Sequence, residues 1–229
     1  MATMTELLTQ TRARLDEATS GFWTDPQLRT WIMEGARDIA RRAEVLQTTD
    51  TIAGLADVQS YACPDDVIRV YRAEWVNTGD TFTYPLDYQD YNNMDQVWWT
   101  GKTQGSNVPS FFTFWGYPPN LTITLYPKPS QAGTITLYYY KMPAPIDPNG
   151  TEDSNTVETP MGWEDIITLY CEYNALRKDS DNRWSEAKTI YEEKLDEMIQ
   201  VTRRWTDQAG LIVSNVNPFV PSWLYNDGW

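Results

Sequence analysis

The sequence contains no histidine. That absence excludes Ser-His-Asp and Cys-His nucleophilic catalysis, HExxH zinc sites and any histidine pH switch. There are only two cysteines, Cys63 and Cys171, far apart along the chain. They cannot build a four-thiolate zinc site or a disulfide framework, and with no histidine to activate them they read as buried thiols. No apolar run approaches the ~18 residues of a membrane span. The opening, Met1 to Thr19, carries acids in an amphipathic pattern, so no signal peptide is expected. Without a secretory context the sequons at Asn120 and Asn149 carry no weight, and a reducing compartment is the expectation. Neither GxGxxG nor a Walker sequence occurs, so nothing supports nucleotide chemistry.

Basic residues are also scarce. The 229 residues hold 18 Lys and Arg against 32 Asp and Glu, a formal net charge of −14. This balance speaks against a broad basic face gripping nucleic acid, because such binding is mostly phosphate neutralisation. It does not speak against a protein that lets DNA pass without holding it. The acids collect in irregular stretches: residues 47–110 hold nine acids and three bases, residues 143–162 four acids and no base, and residues 111–142 two lysines and no acid.

What the chain has in excess is aromatics, 11 Trp, 14 Tyr and 6 Phe, too many for a disordered chain. The patterning has three parts. Residues 3–18 read as a helix with Leu7, Leu8, Thr11, Leu15 and Ala18 on one stripe. Gly21 breaks it. A second helix starts near Thr24 or Asp25, with Gln27 placed for a capping box and Pro26 for the first turn. Its buried stripe is Leu28, Ile32, Gly35, Ile39, Ala43 and Leu46. Residues 47–142 then read as strands rich in valine, threonine and aromatics. The expected strands are Val58–Ala62, Val67–Val76, Phe111–Trp115, Leu121–Tyr126 and Thr134–Lys141, the last two as arms of a hairpin. A short helical turn is expected near Tyr88–Met94. Residues 143–160 form an acidic loop, of a length that tends to be functional or mobile. Helices follow over about 161–179 and 182–205. The stretch 206–229 is apolar without periodicity, has no Lys or Arg, and reads as an extended arm needing a surface to lie on.

The expected fold is therefore α+β: a helical bundle built from N- and C-terminal helix pairs (1–46 and 161–205), an inserted antiparallel β domain (47–142) and an extended C-terminal arm. Tyr138-Tyr139-Tyr140 would put aromatics on both faces of a sheet, which implies a sandwich or a subunit interface.

Paired carboxylates with aromatic walls would suit a carbohydrate hydrolase, with Asp65 and Asp66, or Glu74 beside Trp75, as candidates. No spacing marks a pair, and solvated faces and turns account for the acids better. Asp147-Pro148-Asn149-Gly150 with Glu152-Asp153 carries part of a calcium-loop pattern, spoiled by the proline and the lack of flanking helices. Glu192, Glu193, Asp196 and Glu197 alternate with Lys188 and Lys194 as on a solvated helix face, Lys188–Glu192 being a favourable pair. A β-rich module binding a small ligand is a further reading.

Several strings taken in order resemble the head-to-tail adaptor proteins of short-tailed bacteriophages. They are Leu15 to Leu28 (LDEATSGFWTDPQL), Trp31 to Ala40, Phe111 to Gly116, Leu121 to Pro129, Gly133 to Pro143, Trp163 to Ile167 and Tyr170 to Lys178. The resemblance spans residues 4–205 and leaves the arm outside. It implies a structural virion protein at the head–tail junction, assembled in the host cytoplasm, with no catalytic residue, cofactor or metal. It implies a homo-oligomeric ring of twelve subunits under the portal protein, joined to the tail nozzle or tube protein. The genome would pass through the central channel without specific binding, and no membrane is involved. Such proteins carry a helical bundle with an inserted β domain. In some, a terminal arm docks into the portal, which implies that Phe219, Trp223, Leu224, Tyr225 and Trp229 are anchors that order on assembly.

Overall fold

The computed structural model describes residues 1–17, 21–91, 108–149 and 155–214, with side chains up to residue 202. Four helices and seven strands lie within those residues. Helix α1 spans Met4–Arg14. Thr3 caps it in a reciprocal box, its Oγ1 accepting from Glu6 N while Thr3 N donates to Glu6 Oε2 at 2.8 Å. It stops well short of residue 18, and Asp16 takes a left-handed conformation at φ 56°. Helix α2 spans Asp25–Ala43 and ends at left-handed Glu44. The capping box expected between Thr24 and Gln27 does not form; the Thr24 carbonyl, not its side chain, receives Gln27 N and Leu28 N.

The strands are β1 Gln47–Gly54, β2 Ser60–Ala62, β3 Val67–Asn77, β4 Tyr84–Tyr88, β5 Phe111–Trp115, β6 Thr122–Tyr126 and β7 Gly133–Lys141. Helices α3 Asp165–Lys178 and α4 Trp184–Ser214 complete the chain as described. The short helical turn expected near Tyr88–Met94 falls largely outside the described residues.

The expected helical bundle with an inserted antiparallel β domain is corrected by this structure. The fold is mixed α+β with a large β part, a seven-stranded, nearly closed, barrel-like sheet of order β1-β7-β3-β4-β5-β6-β2. The curl follows from chain length. The edge strands β1 and β2 sit at opposite ends of that order, which in a flat sheet would be roughly 29 Å apart. Yet Gly54 and Ser60 are joined by a link that reaches at most about 21 Å. The sheet bends to bring them together, and Tyr61 fastens the link, its hydroxyl donating to Val58 O at 2.8 Å.

Two further expectations fail in the sheet. The pair β4–β5 is parallel, and the chain between Tyr88 and Phe111 is long enough for the crossover that parallel pairing requires. Strands β6 and β7 are not a hairpin. β6 pairs with β5 and β2, whereas β7 pairs with β1 and β3. Pro127 and Pro129 have no N–H to extend a ladder between the two.

Two hydrophobic cores result. The helical core gathers Leu7, Leu28, Ile32, Ile39, Ile167 and Leu195, among others. Gly35 lets α2 approach α3, since a Cβ there would stand 3.1 Å from the Tyr170 ring. The barrel core surrounds Trp75, fully buried with Ile123, Leu125, Ile135 and Leu137. Gly54 and Gly133 are paired across β1 and β7, and a Cβ on either would meet the Trp75 ring at 2.4 Å. The flanks of the acidic loop are pinned to the helices: Met4 N donates to Asn155 O and Val157 N to Ala2 O, both at 3.0 Å. Lys141 Nζ reaches Glu158 at 2.6 Å.

The extended C-terminal arm expected over 206–229 is also corrected in its first part. Helix α4 runs on to Ser214, 31 residues and about 46 Å long.

Candidate interaction surfaces

One surface is a corner of the helical layer. Arg12, buried on α1, bonds to Trp23 O at 3.0 Å, to Glu17 at 3.3 Å and to the Asp25 carboxylate. Glu17 in turn accepts the backbone N–H groups of Phe22 and Trp23. This buried cation and its two acids fix the chain on either side of Gly21. They hold the Phe22 ring outward at 67 % exposure. Trp23 packs on Trp31 with centroids 5.6 Å apart, and the Lys178 ammonium stands 5.8 Å from the Trp23 ring. Beside them a cavity of about 310 Å³ is walled by Trp23, Leu176 and Ile190 and bridged by the Arg14–Glu172 ion pair at 3.2 Å.

A second surface lies on the barrel. Bulges in β3 at Val67/Arg69 and Val70/Arg72 break its alternation and turn Tyr71 outward. A groove of about 480 Å³ opens between Tyr71, Tyr88, Phe112, Phe114, Tyr117 and Leu121, with Arg69 also in its wall. Tyr88 stacks on Phe114 at 6.3 Å and meets the edge of Phe112 at 5.7 Å. Tyr117 stands 81 % exposed after Gly116, whose φ of 83° suits only glycine. Arg69 is held by Glu44 at 3.0 Å and lies 5.2 Å from the Tyr140 ring centre.

The triple tyrosine divides between the faces of β7. Tyr139 points into the barrel core and donates to Asp66 at 3.0 Å; burial, then that carboxylate, raises its pKa. Tyr138 and Tyr140 lie on the other face and pack on Tyr71, Tyr138 half-buried and Tyr140 buried.

The carboxylates named for hydrolysis are not brought together. Asp66 precedes β3 and is held by Tyr139, whereas Glu74 lies well along that strand and is held by Tyr138 on the opposite face of β7, so the two do not face each other across a groove as a glycosidase pair must. Glu74 is buried and occupied by Arg72 and by the Tyr138 hydroxyl at 2.9 Å. Asp65 is exposed on the turn before β3. Burial pushes the Cys63 thiol up to about 11 and raises Cys171 further, so both are inert at neutral pH. No group of potential metal ligands occurs among the described residues, and no helix there is long and apolar enough to cross a membrane.

On α4, Glu192 takes Arg42 of α2 at 2.6 Å in place of the expected Lys188. Glu193, Asp196 and Glu197 remain exposed. Phe219, Trp223, Leu224, Tyr225 and Trp229, and the pair Trp98-Trp99, lie outside the described residues. Both surfaces assemble side chains that the sequence reading left unassigned. Arg12 was not singled out; Glu17, Phe22, Trp23 and Asp25 lie inside one of the resembling strings.

That string belongs to a wider match. The SU10 adaptor protein family model fits residues 2–214, nearly the whole chain. The chain belongs to the SU10 adaptor protein family. No curated protein matches it. The family match runs past residue 205 to the end of α4. Membership supports a structural role in the phage virion as an adaptor that associates with other head and tail proteins, and suggests no catalysis.

Proposed function

We propose that this chain is the repeating subunit of a ring, twelve copies around, that joins the portal vertex to the tail nozzle or tube and lets the genome pass during ejection. The observation that carries the reading is the adaptor family match across both layers. The surfaces agree with it. A ring of identical subunits needs two different adhesive patches on each copy, and this chain presents the Phe22 corner on its helical layer and the aromatic groove on its barrel. A net charge of −14 suits a conduit, since a cationic lining would hold phosphates.

In this reading the ring sits at the head–tail junction, is assembled in the host cytoplasm, and anchors to the portal through Phe219, Trp223, Leu224, Tyr225 and Trp229. The test is co-sedimentation with purified portal rings. Removing residues 215–229, which leaves α4 intact, is expected to weaken portal attachment at least tenfold while the far-ultraviolet spectrum stays native. Undiminished attachment of the shortened chain would overturn the anchoring.

A further inference from the structure

The groove on the barrel and the sequence beyond Ser214 have matching chemistry. The groove is walled by Tyr71, Tyr88, Phe112, Phe114 and Tyr117. Aromatic-walled grooves of this kind receive proline-rich segments in polyproline II form, which reach the bound state with little further loss of entropy. Four residues past α4 the sequence reads Pro218-Phe219-Val220-Pro221. Bound in that form, with three residues per turn, Pro218 and Pro221 would share one face and Phe219 and Val220 would lie off it. The stretch from Thr206 onward has no Lys or Arg, so Arg69 in the groove wall meets no like charge.

The course of α4 puts this segment at the right level. α4 runs antiparallel to α3: Tyr191 packs on Tyr173, and Lys194 feels the charge of Asp165, the first residue of α3. That end of α3 is where the chain arrives from the barrel, through Lys141 and its partner Glu158. From Lys194 to Ser214 the helix therefore projects about 30 Å past the start of α3, toward the barrel level. Its side chains Tyr191, Leu195 and Met198 pack in the helical core.

We infer that Pro218-Phe219-Val220-Pro221 of one copy docks in the Tyr71–Tyr88–Tyr117 groove of a neighbouring copy. The two prolines sit between the rings, and Phe219, off that face, is left with the distal Trp223, Leu224, Tyr225 and Trp229 for the portal. The inference deepens the ring reading, from which it takes only that copies stand side by side, by naming a contact that links each copy to the next. A contact between two different surfaces propagates from copy to copy and closes when the rotation permits.

The test uses the full chain with Tyr117→Cys and Ser222→Cys together, mildly oxidised. The native thiols Cys63 and Cys171 are buried and stay out of the reaction. A ladder of disulfide-linked oligomers is expected, with neither single substitution giving one. Adding Pro218→Ala and Pro221→Ala is expected to cut the ladder at least tenfold. No ladder, a ladder unaffected by the alanines, or a cross-link confined to the monomer would each overturn the contact. Electron microscopy of the unsubstituted chain separates the two readings. A full ladder without rings sinks the ring and keeps the contact, and rings without a ladder do the reverse.

Discussion

The helical layer and the barrel bury their cores over very different chain distances. In the helical layer the partners come from opposite ends of the sequence: Arg14 with Glu172, Arg42 with Glu192, Asp38 with Tyr191 at 2.6 Å. Around Trp75 almost everything comes from one continuous stretch, Gln47 to Lys141. Both layers carry a buried polar load, with Arg12 inside the helices and Glu74 and Asn77 inside the barrel, and Tyr191 is raised in pKa by burial and by Asp38. The difference teaches that the barrel can close as a unit, whereas the helices depend on both halves of the chain having arrived.

The strongest way to break this contrast is to empty the barrel. Trp75→Ala is expected to cost about 4 kcal/mol or more, as loss of a fully buried large aromatic does. In urea the near-ultraviolet signal of the barrel should then collapse before the helical signal. A single transition at the wild-type midpoint would contradict the two-core account.

Ile32→Ala asks the converse. It should cost about 3 kcal/mol and lower the helical signal first, leaving the Trp75 environment native in denaturant titrations. Arg12→Met comes next, at about 2 kcal/mol, because Glu17 and Asp25 lose a charge-assisted partner. Its particular sign is faster amide exchange at Phe22 and Trp23; unchanged exchange there would show that the corner is held by something else.

A smaller effect comes from acid. Burial alone would raise Glu158, but hydrogen bonds from Lys141 and from Ala144 N bring it below its ordinary value of 4.5. A lowered carboxylate stabilises the fold fully above its unfolded pKa and loses that contribution as the pH falls through its folded pKa. The strap between β7 and α3 should therefore weaken by about 1 kcal/mol below pH 4, and Glu158→Gln should flatten the change in thermal melts between pH 6 and pH 3.5. Least of all, Lys194→Ala at the exposed Lys194–Glu197 pair should move stability by no more than about 0.5 kcal/mol.

The parts legible in the sequence were those with a local period. Leu28, Ile32, Gly35 and Ile39 on α2 fall on the expected buried stripe. The strand Phe111–Trp115 matches residue for residue. Strand β1 was missed because, as a polar threonine-rich edge, it shows no apolar alternation. Strand β4 was missed because its few paired residues include a proline. The supposed hairpin misled because β6 and β7 read as equal arms, while their partners are chosen by distant strands. The groove was illegible for the same reason, as Tyr71, Tyr88 and Tyr117 are brought together only by the pairing of β3, β4 and β5. The aromatic excess signalled that some such surface had to exist, without placing it.

The central claim is that this adaptor forms a ring matched to the portal. The most direct measurement is the copy number of this chain relative to portal protein in purified virions, by quantitative mass spectrometry. The account expects a ratio near unity. Absence from the particle would contradict it outright.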